Sequence, residues 1–449
     1  MRQYKKHLPA ILVFALLLIS AVFAEWQYDE AWTYQKIEGL SVYDIVSYKF
    51  NIANNHVLNS LYFYLLQHIG AIHPFFYRLI SLAAFWVYWI FLNKLMPAKQ
   101  DSTQFRFAAV LLLLMPYMIY FAQGRGYAVA IASFTASLYY YKSYAANKSL
   151  REVYYFMLSG SIASLAIFSF SIPFMAMLGL FVLRQYKSII AEKRIILAFA
   201  LAVPVLAYVY TMGKVINTAD AHIIGTNWLF KNGMFSGMIS YMCLADWLPL
   251  FVFKVVKLLY LGSLMLAVGM MVYRRKVQDE VLIFVFSVFV MIGLHYLFNA
   301  KYPMYRGVSY LIILLYLAMS AADGIKKAWL LRLHMLIAFG IGIINLGINL
   351  RDDIGRNTED VLSYAEKHGG YLTVSDNFNP NIYLYNKLYH HNDITITHFE
   401  AVDDDSLFLK YADSSAMILC SRSLIAGQDI QKKYNEIYSF KGKVFLRKK

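Results

Sequence analysis

Long apolar runs, broken at short intervals by clusters of charge, set the pattern of this chain. A helix that crosses a bilayer needs about 20 apolar residues. Runs approaching that length recur at residues 8–24, 78–95, 105–122, 127–144, 154–170, 172–183, 195–212, 255–273, 281–298, 308–322 and 329–350. They predict a polytopic α-helical membrane protein with about 11 transmembrane helices. Residues 154–183 as one helix would measure about 45 Å against a hydrocarbon core of about 30 Å. A break is therefore expected near residues 169–173. Residues 56–70, HVLNSLYFYLLQHIG, mix aromatic and polar positions. They read as a juxtamembrane helix lying in the interface, inside a loop spanning residues 25–77. Past residue 350 the pattern changes, with frequent charges and no long apolar run. YLTVSD, DITITHF, SAMILCS and KVFLR read as short strands, and residues 359–367 and 425–437 as helices. The organisation expected is a transmembrane module over 1–350 and a small soluble α/β domain over 351–449.

Composition agrees with the pattern. The chain is 59% hydrophobic and 15% charged, where a soluble domain carries about 25% charged residues. The net charge of +15 is explained by basic cytoplasmic loops. No groove-reading motif accompanies it, so nucleic acid is not an expected partner. With the N-terminus cytoplasmic, alternation puts the clusters around Lys5, Lys94, Lys142, Arg184, Arg275 and Lys326 on the inside. Counting 56–70 as a span would invert every later cluster. The loops at 25–77, 123–126, 213–254 and 299–307 and the C-terminal domain are then extracytoplasmic. The expected location is a bacterial inner or plasma membrane. Val22-Phe23-Ala24 resembles a signal-peptidase site. A retained anchor is preferred, because it fixes the following residues at the outer surface. Cys243 and Cys420 are too few for a disulfide framework.

Charge draws attention to YDEAWTY, residues 28–34, just past the first apolar run. Read as extended chain, Asp29 and Glu30 point in opposite directions. One would face a substrate and the other brace the loop, and a carboxylate so placed can accept a proton from a hydroxyl. Two acids on a solvated loop are the plainer reading. Arg78, Arg125, Lys301 and Arg306 stand at outer ends of spans, where positive charge is disfavoured. Singly, each is also a snorkelling anchor. Together they suit an anionic headgroup, phosphate or pyrophosphate. Asn55 and His56, behind Asn54, either cap the juxtamembrane helix or touch substrate. Gly124-Arg125-Gly126 is too short for a phosphate loop. No Walker A, HExxH or paired CxxC motif occurs. His390 and His391 read as surface residues. No cofactor or metal is called for, although a loosely held divalent metal stays open.

The order YDEAWTY, NNHVLNSLYFYLL, YRLISLAAF, FAQGRGYAVA and KYPMYRGVSYLIILLYL resembles the GT-C superfamily of integral-membrane glycosyltransferases. The likeness is to the aminoarabinose-transferase and protein O-mannosyltransferase kind and covers residues 1–350. It implies a polyprenyl-phosphate-linked sugar as donor and a glycan, lipid or protein acceptor, with membrane lipids around them. It implies catalytic roles for Asp29 and its neighbour Glu30. It implies that Arg78, Arg125 and Arg306 would hold the lipid phosphate, and the outer-face charge pattern adds Lys301 beside them. The usual His-Pro-Pro-Leu is here His56-Val57-Leu58, and the acid that often precedes the turn arginine is missing. A polymerase or ligase using a pyrophosphate-linked donor stays open, with Asp220, His222 and Asp246 in the loop at 213–254. A lipid-glycan transporter is the non-enzymatic alternative, but the spans carry little charge to line a path.

Overall fold

The computed structural model describes residues 2–49, 55–96, 116–219, 225–230, 233–242, 249–273, 278–303, 305–322, 333–334, 336–338, 340–341, 344, 354–375, 380–399, 415–421, 433–440 and 443–449. The chain divides into two compact units. The first holds residues 1–22, 40–66 and 75–350; the second holds 23–39, 67–74 and 351–449.

The first unit is helical. Its principal elements are α1 (Arg2–Phe23), α3 (Val42–Val46), α4 (Val57–His68), α5 (Pro74–Leu95), α6 (Gly126–Asn147), α7 (Leu150–Ala166), α8 (Ser171–Ala191) and α9 (Lys193–Ala219). They continue as α10 (Met234–Met242), α11 (Leu250–Tyr273), α12 (Asp279–Phe298) and α13 (Ser309–Ala322). The second unit contributes α2 (Tyr28–Ile37), between α1 and α3 in sequence. Among the described residues, four segments are long and apolar enough to cross a membrane: Pro74–Leu95, Phe168–Ala191, Lys193–Val215 and Asp279–Phe298. The chain is an integral membrane protein. Of the other expected spans, 105–115 and most of 329–350 lie outside the described residues. The segment at 56–70 forms the short α4, whose face of Val57, Asn59, Ser60, Phe63 and Leu66 is buried.

The expected break in 154–183 comes slightly earlier than residues 169–173. α7 ends at Ala166, Ile167 is extended, and a 3-10 turn over Phe168–Phe170 leads into α8. Pro173 sits in the first turn of α8, where a missing N–H costs nothing. The core is built on α6, α7 and α8. Small residues let α6 and α7 approach: Ala128, Ala132, Thr135 and Ala136 on one, Gly160, Ala163 and Ser164 on the other. Ser137 donates to the Phe156 carbonyl (3.1 Å), binding the two helices where no water can. Phe156 then meets Phe174 and Phe181 of α8. At the far end of α6, Lys142 pairs with the buried Glu280 (2.6 Å), and Arg184 of α8 pairs with Asp279. Both acids occupy the first turn of α12, the end of a helix that favours negative charge.

The second unit carries a five-stranded sheet in the order β4 (Thr395–Phe399), β3 (Tyr371–Ser375), β5 (Met417–Ser421), β7 (Lys443–Lys448), β6 (Tyr434–Phe440). β3 runs parallel to β4 and β5; β7 is antiparallel to β5 and β6. Helices α14 (Ile354–Lys367) and α15 (Pro380–Tyr389) flank β3 in sequence. The helix expected over 425–437 is corrected at its end. Residues 434–437 belong to β6, with Glu436 opposite Leu446 and Tyr438 opposite Phe445; residues 425–432 lie outside the described set. Cys420 is a free, buried thiol of β5.

A methyl group at Gly160 would lie 2.2 Å from Phe174 ring atoms, while one at Gly179 meets nothing within 4 Å. Gly160→Ala is expected to cost about 1–3 kcal/mol by overpacking, read as a lower melting temperature in detergent. Phe174→Leu in the same chain should recover part of the loss. Gly179→Ala should be neutral or gain up to about 1 kcal/mol from helix propensity. Burial pushes the Cys420 thiol up to about 12. Its pKa is raised, so its contribution to stability is intact below the unfolded value and declines as pH climbs toward 12. Mass spectrometry should find Cys420 unmodified by maleimide at pH 8 in the folded protein and labelled after denaturation.

Candidate active site

Within the first unit, Arg125 stands at the N-terminal end of α6. The chain turns tightly at residues 123–126, with the Arg125 N–H on the Gln123 carbonyl (2.8 Å). Glycine is needed on both sides of Arg125. A Cβ at Gly124 would lie 2.9 Å from the Phe63 ring and 3.0 Å from the Tyr77 carbonyl. One at Gly126 would lie 2.4 Å from the Ala166 carbonyl and 3.1 Å from His56 Cβ. Gly124-Arg125-Gly126 is therefore a point of close backbone approach, which sets out one arginine between two contacts. The Asn59 amide of α4 donates to the Gly124 carbonyl (2.9 Å), and the Ser81 hydroxyl of α5 reaches the Arg125 carbonyl (3.5 Å).

The Tyr127 ring is the meeting point. His56 approaches it edge-on at 5.3 Å, Tyr120 packs at 4.8 Å, and the Arg125 guanidinium lies 5.4 Å from its centroid. Arg125 is 5% exposed; the aromatic face offsets some of the cost of burying its charge. Arg78, one turn into α5, is fully buried and donates to the Ala21 carbonyl (3.0 Å). Ala21 lies in the last turn of α1, whose carbonyls have no partner within the helix and attract a cation. At least one of Arg78's five donors thus serves the end of α1. Asn55 is also buried, its amide on the Ile45 carbonyl (3.1 Å) and its own carbonyl taking the Tyr48 hydroxyl.

The last two candidates arrive on another segment. Lys301 precedes the two-residue strand β2 (Tyr302–Pro303), which pairs with β1 (Gly225–Thr226). The Arg306 backbone lies in a 3-10 turn over Tyr305–Val308. Its neighbour Gly307 stands against Ser169, whose hydroxyl would be 3.5 Å from a Cβ there. Ser169 is three residues past Ala166, the residue touching Gly126. His56 and Arg125 thus share the Tyr127 ring, Tyr77 beside Arg78 approaches Gly124, and Gly307 beside Arg306 approaches Ser169. Tyr127, Asn59 and Ser81 were not singled out from the sequence; only the glycines around Arg125 hinted at the close packing there.

Asp29 and Glu30 lie in the second unit, and their setting differs from the expectation. They occupy the first turn of a helix, α2, so their side chains diverge by about 100° rather than 180°. Glu30 is fully buried and accepts the Gln27 N–H (3.0 Å), closing the start of α2. Asp29 is half-buried and Thr33 donates to its carbonyl oxygen (2.8 Å). Tyr28, Trp32 and Lys36 run along one face in a stack: Tyr28 and Trp32 rings at 6.2 Å, the Lys36 ammonium 5.0 Å from Trp32. Burial, aided by the Asp29 charge, pushes the Tyr28 hydroxyl above its ordinary range.

α2 is held by its own unit at both ends. The Asn381 amide of α15 donates to the Trp26 carbonyl (2.8 Å), and the Tyr385 hydroxyl donates to Glu25. Lys387 pairs with Glu38 just past the last turn, and the Gln67 amide donates to the Tyr34 carbonyl (2.6 Å). Among the described residues, no three His, Cys, Asp or Glu side chains are grouped to hold a metal ion.

No protein-family profile matches the chain, and no curated protein matches it. Among solved structures it is similar to the crystal structure of ArnT from Cupriavidus metallidurans bound to undecaprenyl phosphate. The two are 11% identical, with 98% of this chain and 97% of that one covered and a TM-score of 0.42.

Gly126→Ala is expected to cost about 1–3 kcal/mol by overpacking, seen as a lower melting temperature. Ala166→Gly should not rescue it, because the clash is with the Ala166 carbonyl oxygen and not its methyl.

Proposed function

We propose that the chain is a GT-C-like glycosyltransferase that moves a sugar from a polyprenyl-phosphate donor to an acceptor hydroxyl at the outer face of the membrane. One observation carries the reading. Segments at 55–59, 77–81, 123–127 and 166–169, far apart in sequence, meet around the turn that carries Arg125; Arg125 and Arg78 are buried, and the half-buried His56 shares the Tyr127 ring with Arg125. Buried guanidiniums at one helix-bundle end suit a phosphate, whose oxygens accept a fork of donors. The order of motifs along the chain supports the same reading.

In this reading about eleven helices span the membrane. The N-terminus is cytoplasmic, and the domain at 351–449 stands outside, serving a cell-envelope glycan. Asp29 is the general base on the acceptor hydroxyl. Its helical setting leaves that role to Asp29 and gives Glu30 the bracing one, since Glu30's carboxylate closes the first turn of α2. Arg125, with Arg78, Lys301 and Arg306, stabilises the charge that grows on the leaving polyprenyl phosphate as the glycosidic C–O bond breaks. The acceptor oxygen forms the new bond as its proton passes to Asp29. Direct displacement inverts the anomeric configuration. Asn55 and His56 line the substrate side of α4.

Membranes holding the full chain and given undecaprenyl-phosphate sugars provide the test. Asp29→Asn should lower the transfer rate by about 10²–10⁴-fold, the range of a general base. Arg125→Gln should lower it by about 10²–10³-fold, as for one transition-state donor. Unchanged transfer by Asp29→Asn at normal expression would sink the base assignment.

A further inference from the structure

The second unit supplies a task for the C-terminal domain that the proposed chemistry leaves unassigned. The helix bearing Asp29 is tied to α15 of that domain by polar contacts beyond both of its ends. Asn381, fully buried, donates to the carbonyl of the equally buried Trp26, three residues before Asp29. Tyr385, one turn further along α15, donates to Glu25. Burial and that bond push the Tyr385 hydroxyl well above its ordinary range, so it stays a donor. Lys387 pairs with Glu38 beyond the other end of α2. Trp26 is wedged edge-on against Tyr34 at 5.3 Å, so the grip on the entry residues also reaches the middle of the helix.

α15 is itself fixed. Asn386 exchanges two hydrogen bonds with Ile394, ahead of β4 (2.8 and 3.3 Å). His390 at its end contacts Glu366 (2.9 Å) and Glu359 of α14. A ten-residue helix such as α2 is too short to be stable alone in water. Its order has to come from packing, and α15 is the helix it packs on within the unit.

We propose that Asn381 and Tyr385 are positioning residues for Asp29, and that α15 makes the C-terminal domain a working part of the transferase. The inference rests on Asp29 as the base. Proton transfer needs the carboxylate within hydrogen-bond reach of the acceptor hydroxyl, and Asp29 can be held there only as firmly as α2 is held.

The test uses the full chain in membranes, with ¹⁴C-labelled undecaprenyl-phosphate hexoses and pentoses as donor probes. Tyr385→Phe removes one hydroxyl and keeps the ring; Asn381→Ala removes the bond to Trp26. Each is expected to lower kcat by about ten- to a hundredfold, the cost of a small misplacement. KM for the donor should not change; Asn381→Ala should also lower the melting temperature in detergent, because it strands a buried carbonyl, whereas Tyr385→Phe should leave it close to that of the parent. Glu25→Gln, which still offers Tyr385 an acceptor, should keep kcat within about twofold of the parent. Combined with Tyr385→Phe it should add nothing. Should Asn381→Ala fail to accumulate, Tyr385→Phe with Glu25→Gln carries the test. If Asp29→Asn is inactive and Tyr385→Phe turns over like the parent, the positioning role is overturned and the base assignment stands. A fall in melting temperature or rise in KM without a fall in kcat also overturns it, as a purely structural contact. Normal transfer by Asp29→Asn removes the base assignment and this inference with it.

Discussion

The backbone contact at Gly126 is the constraint on which the first unit depends. The start of α6 lies so close to the Ala166 carbonyl that only a hydrogen fits between them. That approach fixes the end of α7 against the start of α6 and brings the Tyr127 ring to His56. The preceding glycine does the same against Phe63 and Tyr77, drawing α4 and α5 in. Arg125 is then presented from a turn with contacts on either side, the kind of preorganised backbone that can hold a charged group without loosening. In a membrane, where hydrophobic burial gives helices little reason to associate, close contact and interhelical hydrogen bonds do most of the work. The small residues of α6 and α7 continue that seam.

Much of this was legible in the sequence, and the limits have physical reasons. Arg78 and Arg125 stand out because basic residues are rare beside apolar runs. The helix at 57–68 was expected from its mix of aromatic and polar residues. Tyr127, Asn59 and Ala166 did not stand out, because their roles arise from contacts between segments tens of residues apart, which periodicity does not encode. The acid pair was found but misread as extended chain. Gln27 is not among the preferred N-cap residues, so the start of α2 carried a weak signal. Glu30 at the third helical position was the part of that signal the sequence did offer. In the tail, the strands rich in β-branched residues were readable, whereas β6, with Asn435 and Ser439 among its tyrosines, was partly taken for helix. α15 carried its own mark in Pro380 at the first helical position.

The two acids illustrate how a helix sorts chemistry between neighbours. About 100° of rotation is enough to bury Glu30 and leave Asp29 half-exposed. A carboxylate that closes a helix start is held by backbone N–H groups and favoured by the helix dipole. In Glu30 that carboxylate is already engaged by the Gln27 N–H. One turn of helix thus turns an ambiguous pair into a brace and a candidate base.

Depth also sorts the cations. Arg78 and Arg125 are almost wholly shut off from solvent, whereas Lys142, at the other end of α6, keeps about a third of its side chain exposed beside Glu280. A guanidinium is more weakly hydrated than an ammonium and stays charged when buried. Lysine shifts its pKa or seeks solvent instead. An aromatic face such as Tyr127 also suits a flat cation better than a compact one. The choice of arginine at the buried end and lysine at the wetter one follows from the cost of desolvation. It also makes arginine-to-lysine exchange at Arg125 a substantial change: a lysine there would lose the planar contact with Tyr127 and the forked donors that a phosphate would accept.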